Sequence, residues 1–250
     1  MARKRTHRGL ERGFSMIEML VVLAVITIIS GAIFKQISEA QRNAASEQTK
    51  LDLFQQSREF MDQMSRDLRG AGYPNNRNFS AEDTAKLLPT SQWNAVGLVK
   101  VDVGDLWFEA AVDGTQYVSV IRYHLSNDGP GCPCLKRSET QKLDGADPVT
   151  GQPEMDQIEV QGVQNGTSDD PIFVAYLADG TQVTPPIDMV NNATTVANIN
   201  SIAVKLTVQS QVPDATGVKP MVTLLSTVKL NNCSQAHAAA GNSVMGCAGN

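Results

Sequence analysis

The chain is 250 residues long, enough for one sizeable domain or a domain with an appendage, and enough to bury a core. Its formal net charge of -5 divides unevenly: Arg3, Lys4, Arg5, Arg8 and Arg12 face only Glu11 in the first 13 residues, a net of +4, which leaves -9 for the remainder. An acidic body with 5% aromatic residues lacks the basic face of a nucleic-acid binder, so no direct nucleic-acid partner is expected.

From Phe14 to Phe34 the chain reads FSMIEMLVVLAVITIISGAIF, 21 residues with one charge. As a helix this segment spans about 31 Å, the thickness of a bilayer's hydrocarbon core. The basic cluster before it predicts a single pass with the N-terminus in the cytoplasm and the body outside. The one charge, Glu18, costs about 2 to 4 kcal/mol to place in lipid and therefore needs a reason. If the chain is cut after Gly13, Glu18 becomes the fifth residue and Phe14 presents a new α-amino group. A carboxylate and an ammonium about 4 Å apart attract by about 4 kcal/mol at an effective dielectric near ~20, so such a pair between neighbouring subunits would set their axial register.

Arg12-Gly13-Phe14-Ser15-Met16-Ile17-Glu18 followed by the apolar run resembles the leader of type IV pilins and type II secretion pseudopilins. The resemblance implies cleavage between Gly13 and Phe14 by a prepilin peptidase, N-methylation of Phe14, and a register role for Glu18. Lys35 stands where many major pilins carry a helix-kinking proline, and no proline occurs from Phe14 to Tyr73, a departure common among minor subunits. An ordinary signal peptide would instead use residues 19–29 and be cut after Ser30-Gly31-Ala32, and an uncut signal anchor would explain the span alone. Both leave Glu18 unexplained.

Apolar residues then recur at Ile37, Ala40, Ala44, Leu51, Phe54, Met61, Met64 and Leu68, mostly three, four or seven apart, which predicts an amphipathic continuation of the helix. Gly70, Gly72 and Pro74 end it, so one helix over 14–69 would be about 84 Å long. Arg66, Asp67, Leu68, Arg69, Ala71, Gly72, Tyr73 and Pro74 resemble the segment that closes this helix in PilW-type minor pilins.

Short β-like runs follow between turn signals, over 96–103, 106–112, 117–125, 157–163, 172–177, 199–209 and 221–230. Ile202, Val204, Leu206 and Val208 alternate with Ala203, Lys205, Thr207 and Gln209, the mark of a half-buried strand, and the last two runs read as an antiparallel hairpin closing the sheet. The expected class is α+β, a type IV pilin-like fold with a long N-terminal helix packed on an antiparallel β-sheet head. Its expected divisions are a leader over 1–13, a transmembrane or filament-core helix over 14–34, an amphipathic continuation over 35–73 and an extracytoplasmic head over 74–250. Gly-, Pro-, Asp- and Asn-rich loops are expected at 126–155, 164–171 and 178–198; the first reads equally as a recognition loop or a disordered insert.

Cys132, Cys134, Cys233 and Cys247 all fall in the part placed outside the cytoplasm, where disulfides are allowed. Four cysteines permit three pairings. Cys233 with Cys247 would close a short loop and contribute roughly 3 kcal/mol, while Cys132-Pro133-Cys134 reads as a local bridge or two free thiols. No metal is expected: the cysteines lack zinc spacing, and Asp144, Asp147 and Asp156 lack that of a calcium loop and read as solvated acids. His7, His124 and His237 have no triad or ligand partner motif, and no GxSxG, HExxH or P-loop occurs, so neither enzymatic activity nor a cofactor is expected.

The resemblance implies a minor pilin that takes part in type IV pilus assembly, with downstream roles in adhesion, twitching motility or DNA uptake. The partners implied are prepilin peptidase, other minor and major pilins, the inner-membrane assembly platform and membrane lipid. A J-type minor pseudopilin of a type II secretion system shares these features, and a secreted binding module with an ordinary signal peptide is the alternative from another class.

Overall fold

The computed structural model describes residues 15–250 apart from 113, 115, 116, 153, 154, 215, 216, 238–242 and 248–250. The chain divides into two units, residues 1–47 and 48–250. The first helix, α1, runs Met16–Gly70 and meets the predicted bounds within two residues. Ser15 opens it, its carbonyl accepting from the N–H groups of Glu18 at 3.0 Å and Met19 at 3.2 Å. In the first unit the large side chains from Met16 to Ile37 are exposed all round the helix, and the Thr27 hydroxyl turns back onto the Leu23 carbonyl at 2.7 Å. An α-helix bonds its own backbone polar groups, so an apolar cylinder of this kind suits a lipid or a protein-lined core rather than water. By length and composition it can cross a membrane.

In the second unit the continuation of α1 buries Ser57, Phe60, Met61, Met64, Asp67 and Leu68, a stripe at helical spacing. Leu51 and Phe54, expected on that stripe, stay 52% and 40% exposed, because the helix face that meets the head is centred on Phe60 and Met64. Gly72, at φ 78°, turns the chain out of the helix in the left-handed region that favours glycine. Asn232 caps the helix from across the fold, its side-chain amide donating to the carbonyls of Arg69 at 3.2 Å and Ala71 at 3.0 Å.

The strands are β1 (Leu98–Asp102), β2 (Asp105–Ala110), β3 (Ser119–Ser126), β4 (Cys134–Gln141), β5 (Asp156–Gln161), β6 (Phe173–Leu177), β7 (Gln182–Val183), β8 (Ile187–Asp188), β9 (Ile199–Gln209), β10 (Met221–Lys229), β11 (Cys233–His237) and β12 (Ser243–Cys247), with a short helix α2 (Ala193–Ala197) before β9. They form a six-stranded sheet in the order β5-β4-β3-β2-β1-β8, a four-stranded sheet β10-β9-β6-β7, and the hairpin β11-β12. Neighbouring strands pair antiparallel, and with the long helix they make an α+β, pilin-like architecture. Leu98, Phe108, Ile121, Tyr123, Ile172, Phe173, Ile202, Val204 and Leu206 share one core with Met64 and Leu68.

All seven predicted strands are present, with corrections around them. Segment 126–155 holds β4, whose sequence CLKRSETQ carries little hydrophobic signal; eight residues of it pair with β3, and its other edge pairs with β5. Segment 178–198 holds β7, β8 and α2. The hairpin of β9 and β10 does not close a single sheet. It belongs to a second one, because β9 pairs on its other side with β6 and turns Ile202, Val204, Leu206 and Val208 into the shared core.

Candidate functional site

The N-terminal site is partly in view. Gly13 and Phe14 lie outside the described residues. Glu18 sits in the first turn of α1, where the positive end of the helix dipole favours a carboxylate. It is exposed among Met16, Ile17, Met19 and Leu20, themselves at least 55% exposed. A carboxylate on such a surface loses its water wherever that surface is buried, and then requires a cation.

At the other end of α1, the segment Arg66–Pro74 is tied to the head by a charged cluster. The Tyr123 hydroxyl donates to Asp67 Oδ2 at 2.6 Å, Arg137 Nε donates to the same oxygen at 2.9 Å, and Gln63 Nε2 donates to Asp67 Oδ1 at 2.8 Å. Arg137 also pairs with Glu139 at 2.5 Å. Burial and the adjacent Asp67 carboxylate push the Tyr123 phenol far above its usual range. Burial opposes the charge on Arg137, yet Tyr123, Asp67 and Glu139 hold it ionised more firmly than usual. Phe60 meets the Tyr123 ring edge-on at 5.7 Å and Phe108 stacks on it at 6.3 Å. Asp67 and Leu68 therefore serve as the anchor of the helix on the six-stranded sheet. Arg66 is turned outward, donating to Gln63 Oε1 at 2.7 Å. Open clefts of about 540, 420 and 380 Å³ adjoin this cluster and share Arg137 as a lining residue.

A second charge site has no counterpart in the sequence reading. Lys142 and Glu109 are both fully buried and paired at 2.6 Å. Lys142 Nζ donates to the carbonyls of Pro89 at 2.6 Å and Asn94 at 2.8 Å as well as to Glu109 Oε2, which also accepts from the Val96 N–H at 2.9 Å. Burial pushes the Glu109 carboxyl above its usual range in spite of Lys142. Nothing in the sequence around Lys142, in a stretch read as loop, signals this partner.

Cys132 and Cys134 form a local disulfide, with Cα atoms 4.3 Å apart, which removes the alternative of two free thiols. The backbone register of β11 and β12 sets Cys233 opposite Cys247; their side chains lie outside the described residues. Asp144 accepts from the Gln92 N–H, and Asp147 accepts from the N–H groups of Val149 and Thr150. Both acids hold loops in place, while the Asp156 side chain lies outside the described residues. Among the described residues no group of three or more His, Cys, Asp or Glu side chains could hold a metal ion. His124 is half-buried on β3, opposite Asp105 and Lys136, while His7 and the His237 side chain lie outside the described residues.

The family model of the prokaryotic N-terminal methylation motif matches residues 8–34. No curated protein and no solved structure matches the chain. The motif supports a type IV pilin-like prepilin, and implies processing by prepilin peptidase and assembly with other pilins. With the apolar helix, it supports anchoring in a membrane and incorporation into a pilus.

Proposed function

We propose that the chain is a minor pilin of a type IV pilus, cut between Gly13 and Phe14, methylated on the new N-terminus and held in the inner membrane with that end in the cytoplasm until assembly. The observation that carries this reading is Glu18, the fifth residue behind the cleavage position, exposed on an apolar helix inside a matched methylation motif. The absence of proline between Phe14 and Tyr73 and the Arg66–Pro74 segment support a minor subunit of the PilW type, which primes assembly with other minor pilins and through it serves adhesion, twitching motility or DNA uptake. It acts by assembly rather than catalysis and uses no cofactor.

Mass spectrometry of the mature protein is expected to find a chain beginning at methylated Phe14; a chain beginning at Ile33 would mean release by an ordinary signal peptidase. Glu18→Ala is expected to be cleaved and methylated normally yet to enter filaments about tenfold less, the loss of roughly 1.4 kcal/mol or more from an ion pair in a dry core. Normal incorporation of that variant, measured by immunoblot of sheared pili, would remove the register role. Deleting the gene should abolish surface pili and twitching. Retained pili with secreted enzymes trapped in the periplasm would identify a J-type pseudopilin instead.

A further inference from the structure

We infer that β10 is a docking edge, which takes up an extended edge strand from the head of a different prepilin-type subunit, apolar at its centre and acidic at its ends. This rests on the prepilin reading above.

Among the described residues β10 is the end strand of the four-stranded sheet and pairs with β9 alone. Its register shows which backbone groups face away from β9. Ser210 N–H donates to the Pro220 carbonyl and Leu230 N–H to the Asn200 carbonyl, so Pro220 and Leu230 lie in hydrogen-bonded pairs with β9. In an antiparallel ladder such pairs alternate, so Val222, Leu224, Ser226 and Val228 bond to β9 while Met221, Thr223, Leu225, Thr227 and Lys229 turn their N–H and C=O outward. The contact between the Thr207 and Thr223 hydroxyls at 3.0 Å fits the closer approach expected of a non-hydrogen-bonded pair. An extended backbone satisfies such a row, since it supplies donors and acceptors at the same repeat.

Proteins ordinarily blunt such edges with charges, prolines, bulges or short strands. β10 has nine residues, no proline, no bulge in its pairing and one charge, at its last position. Leu225 is 76% and Met221 56% exposed. A shallow cleft of about 210 Å³ beside the edge can take an apolar side chain of the incoming strand against Phe54, Met61, Leu224 and Leu225; its other lining residues are Ser65, Ser226 and the mutually paired Arg58 and Asp62, which add no net charge.

Charge identifies the occupant. The chain after residue 13 sums to -9, yet after Asp214 it holds Lys219 and Lys229 and no Asp or Glu. These lysines bracket the uncharged run of the edge, so acids at the ends of the visiting strand complement them. A second copy of this chain fits poorly. Its β5 edge is six residues long against the nine of β10, which leaves part of β10 uncovered. Two β10 strands together bring lysines without acids.

The test uses the full chain in cells making their other prepilin-type subunits, with Thr227 replaced by a photo-crosslinking phenylalanine derivative. Irradiation is expected to give an adduct whose partner peptide, identified by mass spectrometry, is an acid-flanked strand of another prepilin-type head. Leu225→Pro removes an N–H that β9 does not use, so the adduct should fall about tenfold or more, while Leu225→Ala, which keeps that N–H, should retain it within about threefold. Equal loss in both variants would place recognition in the side chain and overturn strand pairing. If Leu225→Pro loses protease resistance, the exposed Lys229→Glu decides, with the same expected loss, and an unchanged adduct overturns the proposal. An adduct to a second copy of this chain, or no adduct from chains that begin at methylated Phe14, also overturns it while leaving the prepilin reading intact. An N-terminus other than Phe14 sinks that reading by itself.

Discussion

Lys142→Met is expected to destabilise the full-length protein by about 3 to 5 kcal/mol, the usual cost of stripping one partner from a buried ion pair. The head then keeps a fully buried Glu109 without a cation, and the carbonyls of Pro89 and Asn94 lose their donor. In thermal unfolding in detergent this corresponds to a midpoint lowered by roughly 10 °C. The effect should depend on pH in a definite direction. Glu109 has a folded-state pKa raised above its ordinary 4.5, so the folded chain keeps a proton that the unfolded chain releases, and stability falls as pH rises from 4.5 towards the raised value. Removing Lys142 takes away the attraction that opposes burial and raises that pKa further. The gap between the original protein and Lys142→Met should therefore stay constant up to the raised folded-state value of the original protein, below which the folded carboxyl is neutral in both, and widen as pH rises through it. A gap independent of pH from about 4 to about 8, a range that covers ordinary and raised carboxylate titration, would mean that the pair contributes through packing alone.

Asp67→Ala is expected to cost about 3 kcal/mol, because it leaves Arg137, with 13% of its side chain exposed, and the buried Tyr123 hydroxyl without their shared acceptor. Tyr123→Phe removes the bond donated to Asp67 and the longer one accepted from Arg137 Nε at 3.2 Å but leaves the ion pair, so it should cost only about 1 to 2 kcal/mol. The order of these two losses, read from denaturant midpoints at constant slope, separates a charge anchor from simple core packing; equal losses would favour packing. Processing at Gly13 should be unaffected in both variants, since the matched motif ends at residue 34, well before Asp67 in sequence.

Much of the protein is legible along the chain. The basic leader, the uninterrupted apolar run, Glu18 and the stop at Gly70 and Gly72 are local features, and so α1 ends within one residue of its expected close. Strands such as β9 announce themselves by alternation, since one face meets the core and the other does not. β4 does not: Lys136, Arg137, Ser138 and Glu139 give a polar string whose extended form depends on the strands to either side. The face of α1 that meets the head was legible as a period but not as a direction, because Leu51 and Phe54 satisfy the same spacing as the buried Met61.

What the sequence by itself determined is the N-terminal segment: a prepilin-type methylation motif and an apolar helix carrying one carboxylate, properties that depend on hydropathy and spacing within a single segment. The tertiary structure decided the rest. It divided the strands between two sheets and a separate hairpin, left β10 at an open edge, and brought together Asp67 with Tyr123 and Arg137, 56 and 70 residues away, and Glu109 with Lys142, 33 residues away. The physical reason is that a buried charge is tolerable only beside its partner, and partners so far apart in sequence meet only when the sheet register sets them side by side.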